Sequence, residues 1–204
     1  MEYLDIYDEN GNYLGTEQRD IVHKKALWHK TVHCWLYDQS GNVFFQIRKD
    51  TGTLYTTASG HLKAGESISE GFAREIYEEI GVKIDASDAE MVGVIPFIMD
   101  KEMKDGSYFR DRAFSNIYVD LYEGNYADFS MDQDEVIGLV LVNAKEVLSL
   151  FQKESGSVRG IIIHLDHTQE ERDINFAEFL VNPGETAMSK YGEILKKVIS
   201  LTSK

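Results

Sequence analysis

The amino-acid sequence predicts an α+β fold, an α/β/α sandwich in which a mixed β-sheet lies between helices. Stretches with the apolar content of strands recur between residues 28 and 142. Two amphipathic helices with recognisable N-terminal caps interrupt and follow these strands, at residues 67–80 and 143–151. An N-terminal β-hairpin is expected before the sheet, and a C-terminal helical extension after it.

The first elements are predicted from turn signals and alternation. Asn10-Gly11 is a strong turn signal and predicts a hairpin over residues 1–19. Bulky and polar residues alternate over residues 28–37, as in a strand that is buried on one face. We expect the next elements to be a connector, a second strand and a loop, over residues 20–27, 43–48 and 49–59 respectively.

The stretch from Gly60 to Val82 joins a short loop to a helix that carries a run of acidic residues. Ser67 and Glu70 fit a capping box, and Gly81 is expected to end the helix in the left-handed conformation. Apolar residues recur at every fourth position and predict a packing stripe, formed by Ile68, Phe72, Ile76 and Ile80.

Glu75, Glu78 and Glu79 lie three and four residues apart, so a helix places them along one side. They are either a solvated acidic face or a site for a hard cation, because Mg²⁺ prefers carboxylate oxygens. Like charges at this spacing destabilise a helix slightly, which a bound cation would offset. The spacing alone leaves both interpretations open.

The wider pattern resembles the Nudix box at every defined position. It runs Gly60, five residues, Glu66, seven residues, then Arg74-Glu75-Ile76-x-Glu78-Glu79-x-Gly81-Val82. The chain is therefore identified as a member of the Nudix hydrolase superfamily, and residues 60–82 are called the box below. The resemblance implies hydrolysis of a diphosphate bond in a nucleoside diphosphate linked to another moiety, or in a related small phosphorylated substrate, with Mg²⁺ or Mn²⁺ as cofactor.

The resemblance also implies residue roles. The metal would be held by Gly60 (through its carbonyl), Glu75, Glu78 and Glu79. Arg74 would hold the glutamates in place through charge-assisted hydrogen bonds. Either Glu79 or Glu135 would serve as base, since Nudix enzymes often place a further acidic residue in a loop like that of Glu135. Candidates for substrate binding are Arg48, His61, Arg110 and Arg112, although a solvated position is an equal alternative for the three arginines.

The region before the box is similar to the isopentenyl-diphosphate isomerase-like branch of this superfamily, through Arg19, Val22-His23 and Leu27-Trp28-His29. That isomerase uses a cysteine and histidine and glutamate metal ligands. Ser59 stands at the position of the cysteine, and Arg110-Asp111-Arg112 replaces a Glu-x-Glu, so we expect hydrolysis rather than isomerisation. An isomerase-like enzyme and a non-catalytic nucleotide sensor remain alternatives. By default we expect His23, His29 and His33 to be structural.

The second half of the chain is predicted to contain three strands, over residues 89–100, 108–122 and 136–142, with a charged loop over residues 101–107. Pro96 suggests an edge, a bulge or a strand end. Residues 155–160 are expected to be a flexible connector. Pro183-Gly184 is expected to break the chain before an amphipathic helix over residues 185–201. We divide the chain into a domain of residues 1–155 and an extension of residues 156–204.

Composition limits the partners. The formal net charge of −14 argues against a nucleic acid held mainly through its phosphate backbone. The single cysteine excludes an intramolecular disulfide and fits a reducing cytoplasm. The sequence shows neither a signal-like N-terminus nor an apolar run near 18 residues, so we expect no membrane partner. The extension could cover the core, shape the substrate pocket or form a homodimer contact.

Overall fold

A computed structural model describes residues 2–102, 106, 108–181 and 185–203. Its strands are β1 Tyr3–Tyr7, β2 Tyr13–Gln18, β3 His29–Tyr37, β4 Asn42–Arg48, β5 Leu54–Tyr55, β6 Ala58–His61, β7 Glu90–Glu102, β8 Tyr108–Leu121, β9 Val136–Asn143, β10 Ser157–His164 and β11 Gln169–Asn175. Its helices are α1 Arg19–Lys25, α2 Ile68–Ile80, α3 Ala144–Lys153 and α4 Ala187–Thr202. Most of the predicted loop over 101–107 and the predicted break at Pro183-Gly184 lie outside the described residues.

The main sheet is mixed, as predicted. Its strand order is β11-β10-β9-β4-β3-β8-β7, with β5 beside β4 and β6 beside β3. β3 and β8 run parallel, whereas the other described pairs are antiparallel. β1 and β2 form the separate N-terminal hairpin. β7 is an edge strand, which is where a proline such as Pro96 is tolerated.

β3 and β4 share the single pair Tyr37–Val43 and then diverge. Two buried threonines from the segment between β5 and β6 fill the opening. Thr57 accepts from Leu36 N at 3.0 Å, and Thr56 Oγ1 donates to Cys34 O at 2.8 Å. The predicted loop over residues 49–59 is therefore wrong in part, because β5 and β6 lie within or begin in it. Strands of two and four residues are too short to show alternation in a sequence.

The sheet separates two apolar cores. On one face α2 packs Phe72, Ile76 and Ile80 against side chains that include Phe44. On the other face α3 and α4 pack against alternating residues of the central strands, such as Trp35 and Phe45. Alternation along a strand sends successive side chains to opposite faces, which is why Phe44 and Phe45 belong to different cores. The predicted α/β/α sandwich is confirmed.

The box helix forms through the local signals in its sequence. Glu70 N donates to Ser67 Oγ at 3.3 Å, while Ser67 N donates to Glu70 Oε2 at 2.9 Å. Gly81 follows the helix with φ of +74°, in the left-handed region. Asn143 caps α3 in the predicted way, accepting from Lys145 N at 3.1 Å.

Two predicted connectors are regular structure. Residues 20–25 belong to α1, and residues 157–160 begin β10. β10 pairs with β9, so the main sheet continues past residue 155 into the segment that we predicted to be helical, before α4 follows. The domain division at residue 155 stays a prediction. No helix of the described residues is long and apolar enough to cross a membrane.

Candidate active site

β6 and the box helix α2 approach each other closely at Gly60. A Cβ added there would lie 2.2 Å from the carboxylate carbon of Glu75 and from its Oε1. That separation is far inside van der Waals contact. A side chain at residue 60 would have to displace the Glu75 carboxylate from its hydrogen bond with Arg74, and glycine avoids this clash, in addition to the metal role that its carbonyl would have.

Arg74 is the centre of the acidic cluster. Its guanidinium forms a bidentate pair with Glu66, with N–O distances of 2.7 and 2.8 Å. Nη1 also donates to Glu75 at 2.6 Å and to Glu78 at 2.9 Å, and Nη2 donates to the His61 carbonyl at 2.9 Å. Hydrogen bonding to Glu66 is the largest cause of the raised pKa of Arg74. These are the contacts that an ordering role for Arg74 would require, and the role itself stays a prediction.

Glu79 lies deeper than the other box glutamates. Its carboxylate accepts from Ser59 N at 2.9 Å and from Gln46 Nε2 at 2.8 Å. Burial raises the pKa of Glu79 to about 8 and that of Glu75 to about 7. Burial disfavours the ionised form, so a cation beside these carboxylates would gain strongly favourable interactions. The donor set is all oxygen, which suits Mg²⁺ or Mn²⁺.

A cleft of about 510 Å³ opens beside these acids. Glu75 and Glu78 line one side of it, together with Gly60. Arg48 and Glu135 line it as well, although they come from distant parts of the chain. Arg48 is held by Asp50 through two hydrogen bonds of 2.9 and 2.8 Å, and Glu135 is exposed. The structure thus brings these two predicted residues to the box.

Arg110 and Arg112 do not line the cleft, which corrects our expectation for them. Arg112 forms two hydrogen bonds to Asp100, at 2.9 and 2.8 Å, and the Arg110 guanidinium lies over the Tyr108 ring. Asp111, which stands between them on β8, lines the cleft instead. Side chains alternate along a strand, so the two arginines project from the opposite face.

Three histidines from separate parts of the chain meet in a second cluster, although we expected two of them, His23 and His29, to be structural. His23, His29 and His61 each offer one ring nitrogen, and these nitrogens lie within 4.8 Å of one another. The three Nε2 atoms are buried and have no hydrogen-bond partner among the described residues. Asp111 Oδ1 is also buried and has no hydrogen-bond partner among the described residues, although it lies 3.5 Å from His29 Nε2.

The other ring nitrogens of this cluster fix its orientation. His23 Nδ1 lies 3.3 Å from Arg110 O, and His29 Nδ1 lies 3.2 Å from Leu27 O. Donation from Nδ1 to a carbonyl leaves a lone pair on Nε2, which is the arrangement of metal-binding histidines. Burial lowers the pKa of His29, and it lowers the pKa of His61 to about 2. His29 and His61 are therefore held in the neutral form, which is able to bind a cation.

His61 lines the cleft, and its predicted role in substrate binding stays a prediction; the sequence did not indicate that His23 and His29 lie beside it. His23 lies on α1, His29 on β3 and His61 on β6, so no spacing in the sequence links them. His33 follows His29 by four residues on the same face of β3, but its ring packs edge-on against Tyr55 instead. Only the convergence of three elements reveals which histidines belong together.

Comparison with known proteins agrees with the box. A model of the NUDIX domain matches residues 27–162. The chain belongs to the Nudix hydrolase family. An uncharacterized Nudix hydrolase of Clostridium acetobutylicum is 33% identical over 201 residues, which cover 94% of this chain and 92% of that protein.

Two further relatives are more distant. An isopentenyl-diphosphate Δ-isomerase of Serratia proteamaculans is 27% identical over 128 residues, which cover 60% of this chain and 68% of that enzyme. A crystal structure of a Deinococcus radiodurans protein matches with a TM-score of 0.54 at 18% identity, covering 74% of this chain and 89% of that one. The latter similarity shows the shared fold.

Proposed function

We propose that this Nudix hydrolase cleaves a diphosphate bond in a nucleoside diphosphate linked to another moiety, or in a related small phosphorylated substrate. The proposal rests on one observation. Three box carboxylates, those of Glu66, Glu75 and Glu78, contact Arg74, and the last two line a cleft of about 510 Å³, which is large enough for a small ligand. Pockets for small ligands commonly have volumes of about 300–1,000 Å³.

Mg²⁺ or Mn²⁺ would be held by Glu75, Glu78, Glu79 and the Gly60 carbonyl. When bound, such an ion polarises a phosphoryl oxygen and lowers the pKa of a bound water. Arg74 and Glu66 keep Glu75 and Glu78 in place through the contacts described above. Gln46 and the Ser59 amide do the same for Glu79.

The remaining roles fall to residues on the rim of the cleft. Arg48 is a cation in the cleft and would attract the substrate phosphates. Glu135 is exposed and lines the same cleft, so it would orient or deprotonate the attacking water. Glu79 is the second candidate for the base. A small phosphorylated substrate is the expected partner; a cytoplasmic location and a homodimer remain predictions.

The test is a hydrolysis assay on purified wild type and on Glu78→Gln and Glu79→Gln, with nucleoside diphosphate sugars, ADP-ribose, dinucleoside polyphosphates, NADH, oxidised nucleotides and prenyl diphosphates as substrates and Mg²⁺ present. We expect each variant to lose at least about a hundredfold in turnover, because each removes a metal-binding carboxylate. Glu193→Gln on the exposed face of α4 is the matched control. Undiminished turnover in variants that melt like the wild type would refute the assignment.

The histidine cluster favours one second candidate function, an isomerase-like activity on a prenyl diphosphate. Its imidazole nitrogens and the Asp111 carboxylate are ligands suited to a borderline transition-metal ion, in contrast to the all-oxygen set of the box. Ser59 at the position of the isomerase's cysteine speaks against this candidate, since a serine is a poor proton donor.

Two measurements decide between the candidates. Elemental analysis after dialysis against Zn²⁺ and Mn²⁺ should show less bound transition metal in His23→Asn and His29→Asn than in wild type. His164→Asn, an exposed histidine outside the cluster, is the control. Formation of dimethylallyl diphosphate from isopentenyl diphosphate, with no phosphate released, would replace our proposal with the isomerase.

A further inference from the structure

A second cavity, of about 70 Å³, lies next to the cleft under helix α4. Four residues line both spaces, namely His33, Tyr55, Phe97 and Ser115. The cavity is therefore a continuation of the cleft, closed by a helix that follows the family-matched residues 27–162. Nothing assigned to the box accounts for it.

One face of β3 lines both the cleft and the cavity, and its residues differ between the two spaces. Thr31 and His33 line the cleft, whereas His33 and Trp35 line the cavity. Gly60 pairs with Val32, and Trp35 lies three residues further along, or about 10 Å at roughly 3.3 Å per residue. A ligand whose phosphates lie at the box would reach the cavity with its other end.

The cavity is lined by aromatic rings but also holds two unusual donors. Trp35 Nε1 is buried and has no hydrogen-bond partner among the described residues. The Lys190 side chain is 12% exposed, and its Nζ lies 5.0 Å from the centre of the Tyr55 ring. Glu185 is its charged partner, at a long 3.5 Å. A buried donor without an acceptor is costly, so Trp35 Nε1 favours a ligand that brings an acceptor. An ammonium group has three N–H donors, so Lys190 can donate to the same ligand while it contacts Glu185.

We propose that this cavity binds a six-membered heteroaromatic ring that carries carbonyl oxygens, the chemistry of a pyrimidine nucleobase. The inference rests on the proposed function, with the box holding the phosphates. Tyr55 and Phe97 offer ring faces and edges for stacking, while Trp35 and Lys190 offer donors to the carbonyl oxygens.

Two alternative occupants fit less well. A prenyl group would fill the apolar space but would leave the buried Trp35 Nε1 donor without an acceptor. The cavity is small, at about 70 Å³, so the single ring of a pyrimidine fits it better than the fused rings of a purine. Among nucleotides, a pyrimidine therefore fits best.

The test is isothermal titration calorimetry with UMP, AMP and inorganic diphosphate in the presence of Mg²⁺. Trp35→Phe removes the N–H and keeps an aromatic ring, and Lys190→Met removes the charge and keeps the apolar stem. We expect wild type to bind UMP at least about tenfold more tightly than AMP. Each variant should weaken UMP binding about tenfold, the effect of one lost hydrogen bond, and leave the affinity for diphosphate unchanged.

Lys196→Met, on the exposed side of α4, is the matched control and should bind UMP like wild type. Equal affinity for UMP and AMP, or no UMP binding, would overturn the inference. A loss of diphosphate binding in Lys190→Met equal to its loss of UMP binding would also overturn it, because Lys190 would then be a phosphate ligand. Ring-selective UMP binding in a protein that hydrolyses none of the substrate panel would contradict the proposed function alone.

Discussion

Two polar clusters share the short strand β6, and they differ in how their atoms are satisfied. On one side the box carboxylates are bound by Arg74, by the Ser59 amide and by Gln46. On the other side lie three imidazoles whose Nε2 atoms have no hydrogen-bond partner within the described part of the chain. Buried polar groups normally have partners, so the second cluster is the more unusual. A network that is complete within the protein can be stable before a ligand binds, whereas the imidazoles lack the partner that a cation would provide.

Burial acts on the two clusters in opposite senses. It raises the pKa of Glu75 and Glu79 and lowers that of His29 and His61, so in both cases the neutral form is favoured. A bound cation reverses this preference for the carboxylates and has no such effect on imidazoles that are already neutral. The clusters should therefore respond differently to mutation and to pH.

Arg74→Met should cause the largest loss of stability, because it disrupts the acidic cluster and leaves the histidine cluster unchanged. The Arg74 side chain is 18% exposed, and those of Glu66 and Glu75 are 12% and 10% exposed, so their charges would be left largely desolvated. Removing one partner of such a pair costs about 3–5 kcal/mol, which is roughly 10 °C in melting temperature for a chain of this size.

Circular dichroism melting curves measure this loss, and Arg74→Lys should recover part of it by restoring the charge without the fork geometry. Transition-metal binding by the histidines should persist at temperatures where the variant is folded. A melting temperature within 2 °C of wild type, a shift of less than about 1 kcal/mol, would show that the network does not depend on Arg74.

The next largest difference between the clusters should be in how each changes the stability of the protein with pH. The folded pKa of Glu79 is about 8 against 4.5 in the unfolded chain, so its contribution is lost as pH rises from 4.5 through 8. The folded pKa of His61 is about 2 against 6.5, so its contribution is lost as pH falls below 6.5. The two contributions oppose each other between pH 4.5 and 6.5.

Metal-free protein should therefore lose stability above pH 6.5, by about 2 kcal/mol up to pH 8 from Glu79 alone, and again below pH 4.5. Urea unfolding in EDTA across this range measures the effect. Mg²⁺ should remove the alkaline loss because it binds the ionised carboxylates, and Glu79→Gln should remove it without metal. A flat profile from pH 6.5 to 8 in EDTA would show that Glu79 is ionised without cost.

The same contrast explains what the sequence could predict. The capping box, the apolar stripe and the Gly81 stop all act within one helix, so the bounds of α2 and the acidic cluster followed from spacing. The imidazole cluster depends on α1, β3 and β6 meeting, and α1 was itself mistaken for a connector. The prediction for Arg110 and Arg112 was wrong for a related reason. The face of β8 that meets the cleft is set by the pairing of β8 with β3 rather than by the composition of β8.

The smallest predicted effect is that of Ser67→Ala, which tests whether the box depends on this local signal. Ser67 Oγ caps the Glu70 amide, and loss of such a cap costs about 1 kcal/mol, or about 2–4 °C in melting temperature. Ser69→Ala, in the first turn but not the cap, should cost less. Since α2 carries the carboxylates and not the imidazoles, fraying of its first turn should weaken Mg²⁺ binding slightly and leave transition-metal binding unchanged. Equal weakening of Mg²⁺ binding and transition-metal binding would mean that the two clusters are coupled through β6 and do not act independently.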